Sequence, residues 1–246
     1  MLSLENVSVR FDALKAVDDV SLTINEGERR AVIGPKGAGK TTLFNAITGA
    51  LPPTSGKISF GGHDITRMPP HRRAALGIGR TFQITNLFPS LTVAENMQLA
   101  VQGLSAHKFA FFRRSGLSAT ETARVEQALA LTRMAARADV LVRELSYGEQ
   151  RQLEMAMALA SAPRLILLDE PAAGLSPAER AITAEIIRAL PRDITIVLIE
   201  HDMDLVLTLV DWVTCLNNGQ FLAEGPPDAI RSNAQIQDVY LGRRHA

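Results

Sequence analysis

Nine consecutive residues, Gly34-Pro35-Lys36-Gly37-Ala38-Gly39-Lys40-Thr41-Thr42, have the spacing of a loop that wraps phosphate. Glycine lets successive backbone N–H groups turn inward on phosphate oxygens where a Cβ would intervene. Lys40 then reaches the β- and γ-phosphates, and the Thr41 hydroxyl can ligate Mg²⁺. A helix opening at the end of the loop points its positive dipole end at the same anion. The alternative is an ordinary glycine-rich strand–helix turn. The apolar run Arg30-Ala31-Val32-Ile33 before the loop, and a helical stretch over 42–48 stopped by Gly49, favour the phosphate reading.

Two further constellations carry chemistry. Asp169 and Glu170 follow the apolar run Arg164-Leu165-Ile166-Leu167-Leu168, and open α/β sheets place ligands at such carboxyl ends. There Asp169 can hold the Mg²⁺ shell while Glu170 polarises a water for in-line attack on a γ-phosphate. Leu145-Ser146-Tyr147-Gly148-Glu149-Gln150 has the Ser146/Glu149 spacing of a capping box, which accounts for both residues. The same helix start also presents N–H groups to an anion, so both readings stand. His201, between Glu200 and Asp202 after an apolar strand, reads on its own residues as a surface histidine.

These groups need elements to hold them. Leu4, Val7, Val9 and Phe11, then Val17, Val20, Leu22 and Ile24, alternate in part and predict antiparallel strands ending at an Glu26-Gly27 turn. Lys57-Ile58-Ser59-Phe60 is a further short strand, and Arg80-Thr81-Phe82-Gln83 closes a first lobe. From there to about residue 162 the pattern is helical, with capping boxes at Thr92/Glu95 and Ser118/Glu121. Residues 107–114, His-Lys-Phe-Ala-Phe-Phe-Arg-Arg, interrupt the helices as a loop tucked on its own lobe or as a docking or membrane-surface edge. Ser176-Pro177-Ala178-Glu179 opens another helix, 194–199 is a fully apolar strand, and Asn217-Asn218-Gly219 marks a hairpin. Two short helical pieces follow Gly225. The order is α/β with a helical insertion.

Composition narrows the function classes. The chain has 246 residues, 46% apolar and 21% charged, with 26 basic against 26 acidic side chains, so nothing points to a nucleic-acid partner. The one cysteine, Cys215, excludes an internal disulfide, and the five histidines lack ligand spacing. No stretch approaches the length of a membrane span, and the first residues carry no signal-peptide pattern, which predicts a cytoplasmic chain unless a partner holds it to a membrane.

Taken together, these motifs resemble an ATP-binding-cassette (ABC) ATPase subunit, and the likeness runs in order along nearly the whole chain. Residues 34–42 match the phosphate loop, Gln83 the glutamine loop, 145–149 the family signature, 165–170 the second acidic motif and His201 the histidine switch. The resemblance implies a P-loop ABC cassette: one domain over 1–246 with an antiparallel β subdomain and a helical subdomain inserted over 84–162. It implies that Phe11 stacks on adenine and that ATP and Mg²⁺ are bound. Gln83 would join Thr41 and Asp169 around the metal, and His201 would bond the γ-phosphate beside the Glu170-activated water. Two cassettes would pair head to tail, so that Ser146 and Gly148 of one face the γ-phosphate held by Lys40 of the other, with Glu149 beside them.

Leu-Ser-Tyr-Gly-Glu-Gln-Arg at 145–151, Asp-Glu-Pro-Ala-Ala-Gly-Leu-Ser-Pro at 169–177, Ile-Glu-His-Asp-Met at 199–203 and Val-Tyr-Leu-Gly at 239–242 resemble the ATPase of bacterial branched-chain amino acid importers. That likeness implies transmembrane permease subunits, a second ABC ATPase, indirectly a solute-binding protein, and a peripheral place on the cytoplasmic face of the inner membrane. Relatives of that group move urea, amides or aromatic acids, and a soluble cassette ATPase of a cytosolic machine would share the same catalytic residues. Three positions depart from the family pattern: Lys36 replaces Asn or Ser, Glu149 replaces Gln, and Ser176 replaces Asp. A carboxylate at 149 would repel ATP unless it turns back to cap Ser146, and the capping reading is preferred.

Overall fold

The computed structural model describes residues 1–81, 87–103 and 117–241. Strands β1 (Leu2–Phe11) and β2 (Leu14–Ile24) form an antiparallel pair, with Asp12 in the turn at φ +49°. Strand β3 (Arg29–Ile33) leads into the phosphate loop and helix α1 (Lys40–Thr48). Then come β4 (Ser55–Phe60), β5 (His63–Asp64), α2 (Pro70–Ala75) and β6 (Ile78–Arg80). Helices α3 (Val93–Gln102), α4 (Ala119–Leu131) and α5 (Tyr147–Ala160) lie between β6 and β7 (Leu165–Asp169). The chain continues through α6 (Pro177–Ala189), β8 (Thr195–Ile199), α7 (Met203–Leu207), β9 (Trp212–Asn217) and β10 (Gln220–Gly225). It then enters α8 (Pro227–Arg231) and α9 (Ala234–Leu241).

Two sheets organise these elements. The first has the order β2-β1-β4-β5 and is antiparallel; the second runs β10-β9-β3-β8-β7-β6, parallel except for its β9–β10 hairpin. Asn218 and Gly219 both take positive φ at that hairpin, the conformation that suits Asn-Gly. The central strands are apolar on both faces because each face meets its own core. Leu165 and Leu167 of β7, with Val197 and Ile199 of β8, pack against α1 and the antiparallel sheet. Ile166, Leu168, Ile196 and Leu198 pack on the other side with α5 and α6. Each such side chain contributes about 1.5–3 kcal/mol on burial, which is why these strands read as unbroken apolar runs.

Local chemistry sets the helix ends. The Thr92, Ser118, Ser146 and Ser176 hydroxyls each accept from the backbone of the glutamate three residues on, and that glutamate reaches back, so α3, α4, α5 and α6 all open on capping boxes. Helix α1 ends differently. Buried Arg73 of α2 donates to the carbonyls of Ala46 and Ile47 at 2.6 and 2.7 Å, and to those of Met68 and Thr66 at 2.8 and 3.0 Å. Burial pushes its pKa down to about 10. The elements β5, α2 and β6 are two to six residues long, too short to leave a periodic signal.

Candidate active site

The register of the parallel sheet assembles the site. Asp169 pairs with Ile199 across β7 and β8, so Glu170 and Glu200 leave the sheet at one level. Val32 pairs with Ile199, and Ile33 with Cys215, which brings the start of the phosphate loop to the same edge. A cleft of about 880 Å³ opens there, lined by Phe11 on one side, residues 36–42 along its floor, and Glu170, His201 and Asn218.

Backbone crowding dictates the glycines in the loop. A Cβ on Gly34 would overlap the Leu216 carbonyl, and one on Gly39, at φ +94°, would overlap that of Ala16. No side chain caps α1, so its first N–H groups have no acceptor from a capping residue. Lys40 is buried, and its Nζ donates to the carbonyls of Gly34 and Pro35 at 2.6 and 3.0 Å. Burial lowers its pKa, while the charges of Glu170 and Asp169 act in the opposite direction. Pro35, Gly37, Ala38 and Thr42 complete the turn; Ala38 is buried, and Lys36 and Thr41 are exposed.

At the sheet edge Glu170 stands at φ +51°, its backbone N–H bonded to the Ile199 carbonyl. A hydrogen bond of 2.6 Å joins Glu170 Oε1 to His201 Nε2. Asp169 is 1% exposed; its Oδ2 accepts from Arg80 Nη2 at 2.8 Å, and its Oδ1 is buried with no hydrogen-bond partner among the described residues. Such an oxygen suits a hard divalent cation, and the Thr41 hydroxyl offers another donor of the same kind. Among the described residues no cluster of three His, Cys, Asp or Glu side chains forms a self-contained metal site. A cation here would need further oxygens from phosphate and water, which is how Mg²⁺ is usually held.

Glu200 and Arg80 are partners that sequence reasoning passed over. Buried Glu200 accepts from the Ala172 N–H at 2.8 Å and the His201 N–H at 3.2 Å, tying the turn after β7 to the end of β8. Burial raises its pKa. In sequence both looked like neighbours of a motif, since nothing in their spacing marks a charge that folds inward. Three expected residues lie elsewhere: Ser146, Gly148 and Glu149 open α5 and do not line the cleft. Glu149 Oε2 accepts the Ser146 N–H at 2.8 Å, and its Oε1 pairs with Arg137 Nε at 2.8 Å, so the cap neutralises its charge locally. A Cβ on Gly148 would overlap the Glu179 carboxylate. Gln83 and residues 107–114 fall outside the described residues.

Known proteins give this geometry a family. The sequence profile described as ABC transporter matches residues 17–173. The high-affinity branched-chain amino acid transport ATP-binding protein BraF of Pseudomonas aeruginosa is 39% identical, with 98% of each chain covered. The protein of the same description, LivG, of Salmonella typhimurium is 40% identical, again with 98% of each chain covered. The solved ADP conformation of MJ1267, an ATP-binding cassette of an ABC transporter, superposes with a TM-score of 0.85 at 30% identity over 99% of both chains. The chain is therefore a P-loop ABC cassette and belongs to the ABC transporter family of ATP-hydrolysing subunits.

Proposed function

We propose that the chain is the ATP-hydrolysing subunit of an importer of branched-chain or closely related amino acids, working on separate permease subunits. The observation that carries the chemistry is the 2.6 Å contact between Glu170 and His201 in a cleft floored by the phosphate loop. Phe11, exposed at the cleft rim, offers its ring to adenine. Backbone N–H groups of residues 34–42, Pro35 excepted, and the α1 terminus take the phosphates. Lys40 exchanges its bonds to Gly34 and Pro35 for β- and γ-phosphate oxygens. Thr41, Asp169 and Gln83 hold Mg²⁺, which when bound neutralises charge building on the phosphates. Glu170 accepts the proton of the attacking water, and His201 steadies that carboxylate and bonds the γ-phosphate.

The second half of each site comes from a second cassette in head-to-tail pairing, supplying Ser146 and Gly148 at the capped start of α5. That explains why these residues stand outside the cleft of their own chain. A groove of about 400 Å³ between α5 and the first lobe, lined by Ile78, Leu87, Ala100, Met157 and Ala158, takes a permease segment at the cytoplasmic face of the membrane. No helix among the described residues is long and apolar enough to cross a membrane, so the membrane path belongs to the permeases. Closure and opening of the dimer rock the helical subdomain over 84–162 against the core and pass the cycle on. A solute-binding protein delivers the cargo outside.

Glu170→Gln is the direct test. It is expected to keep ATP binding and abolish turnover, and a variant hydrolysing ATP at the parental rate overturns the assignment of the base. Purified from its own cells in detergent with ATP and Mg²⁺, the same variant is expected to bring multi-span permease chains with it. Soluble partners alone would move the reading to a cytosolic machine.

A further inference from the structure

Arg80 ends β6 and reaches into the region behind the phosphate site. Its Nη2 donates to Asp169 Oδ2 at 2.8 Å and its Nη1 to Asn45 Oδ1 of α1 at 2.6 Å, while the guanidinium carbon lies 5.9 Å from the Phe44 ring centre. The side chains of Arg80 and Asp169 are 8% and 1% exposed. The Thr81 hydroxyl accepts the Asp169 backbone N–H at 3.4 Å, so strand and side chain are both anchored.

A carboxylate presents two like oxygens, and rotation about its terminal torsion would let either face a ligand. Here a charge-assisted bond takes Oδ2, and a planar fork that also grips Asn45 sets the direction from which it is held. The rotation is thereby stopped with Oδ1 buried and unbonded among the described residues. Buried polar atoms are nearly always satisfied, and one left bare beside a phosphate loop marks a place kept for a cation. We infer that Arg80 is a positioning residue that aims Asp169 Oδ1 at the divalent cation accompanying the bound nucleotide. The inference rests on the proposed reading of Asp169 as a ligand of that cation. Lysine cannot replace this function, because one ammonium cannot hold Asp169 and Asn45 together in a fixed plane.

The test is Mn²⁺ binding to the full-length protein, followed by electron paramagnetic resonance with saturating ATP, alongside ATP binding in EDTA. Outer partners of metal ligands typically contribute 10–100-fold to affinity. Arg80→Lys is expected to weaken Mn²⁺ binding about tenfold with metal-free ATP binding unchanged. Asn45→Ala, which removes only the second anchor of the fork, is expected to weaken it about threefold and serves alone if Arg80→Lys does not fold. Parental Mn²⁺ affinity in either folded variant overturns the inference, as does an equal loss of metal-free ATP binding. Asp169→Asn separates the two levels: parental Mn²⁺ affinity in that variant overturns the reading of Asp169 itself. Weakened binding in Asp169→Asn with parental affinity in Arg80→Lys overturns only the role of Arg80.

Discussion

Glu200→Gln tests whether the site is held by a buried clamp. The parent carboxylate accepts two backbone N–H groups, from Ala172 at 2.8 Å and from His201 at 3.2 Å. Glutamine has nearly the same shape but one acceptor oxygen, so one N–H faces an NH₂ group and loses its partner. A hydrogen bond to a charged group contributes about 1.5–3 kcal/mol, and removing a buried charge returns about 1 kcal/mol. The remainder, about 0.5–2 kcal/mol, falls on the placement of His201 against Glu170. At 1.36 kcal/mol per tenfold, kcat for ATP hydrolysis is expected to drop about 2–30-fold. KM for ATP is expected to stay at the parental value, because neither the Ala172 nor the His201 N–H belongs to the phosphate loop.

The pH dependence follows from the direction of the shift. Burial raises the Glu200 pKa above its ordinary 4.5. The native state thus favours the protonated acid relative to the unfolded chain. The cost of burying the charge is absent below pH 4.5 and complete above the native pKa. Across that window the parent loses stability as pH rises and the glutamine variant does not. Melting temperatures should therefore shift in favour of the variant as pH rises. Parental kcat would refute the clamp, and a pH-independent difference in melting temperature would refute a charged, buried Glu200.

Other substitutions probe separate parts of the molecule. Lys36→Asn removes an exposed cation from the cleft floor, and its ATP affinity, measured by titration, is expected to fall about 2–5-fold at low salt and less at high salt. Unchanged affinity would mean that Lys36 does not meet phosphate. Arg73→Met takes a donor from each of the Ala46 and Ile47 carbonyls at the end of α1, the first keeping the Gly49 N–H at 3.3 Å, and is expected to destabilise by about 3–5 kcal/mol in denaturant unfolding. Ser146→Ala removes the α5 cap, at about 1 kcal/mol of stability. Its ATPase rate is expected to fall while ATP binding to the single chain is kept; a parental rate would argue against signature residues acting across a dimer.

Much of this protein is legible along the chain because its signals are local. Capping boxes at Thr92, Ser118, Ser146 and Ser176 are decided within four residues, and each is present in the structure. The apolar runs of β7 and β8 announce strands buried on both faces, and the glycines at 34 and 39 answer to contacts that any wrapped phosphate loop creates. The short elements β5, α2 and β6 escape notice because two to six residues carry no period. The direction of a buried charge is equally silent in sequence. Arg80 and Glu200 look like ordinary surface residues, and only strand register turns one onto Asp169 and the other onto the Ala172 and His201 amides. The sequence by itself determined which residues have the types and spacing to take phosphate and which carboxylates stand ready at a strand end, because those features belong to residue type and short spacing. Tertiary structure alone decided that His201 meets Glu170, that one oxygen of Asp169 is left bare among the described residues, and that Ser146 and Gly148 do not line their own cleft. Glu170 and His201 lie 31 residues apart and Arg80 and Asp169 lie 89 apart, and only the pairing of the sheet brings such segments within bonding distance.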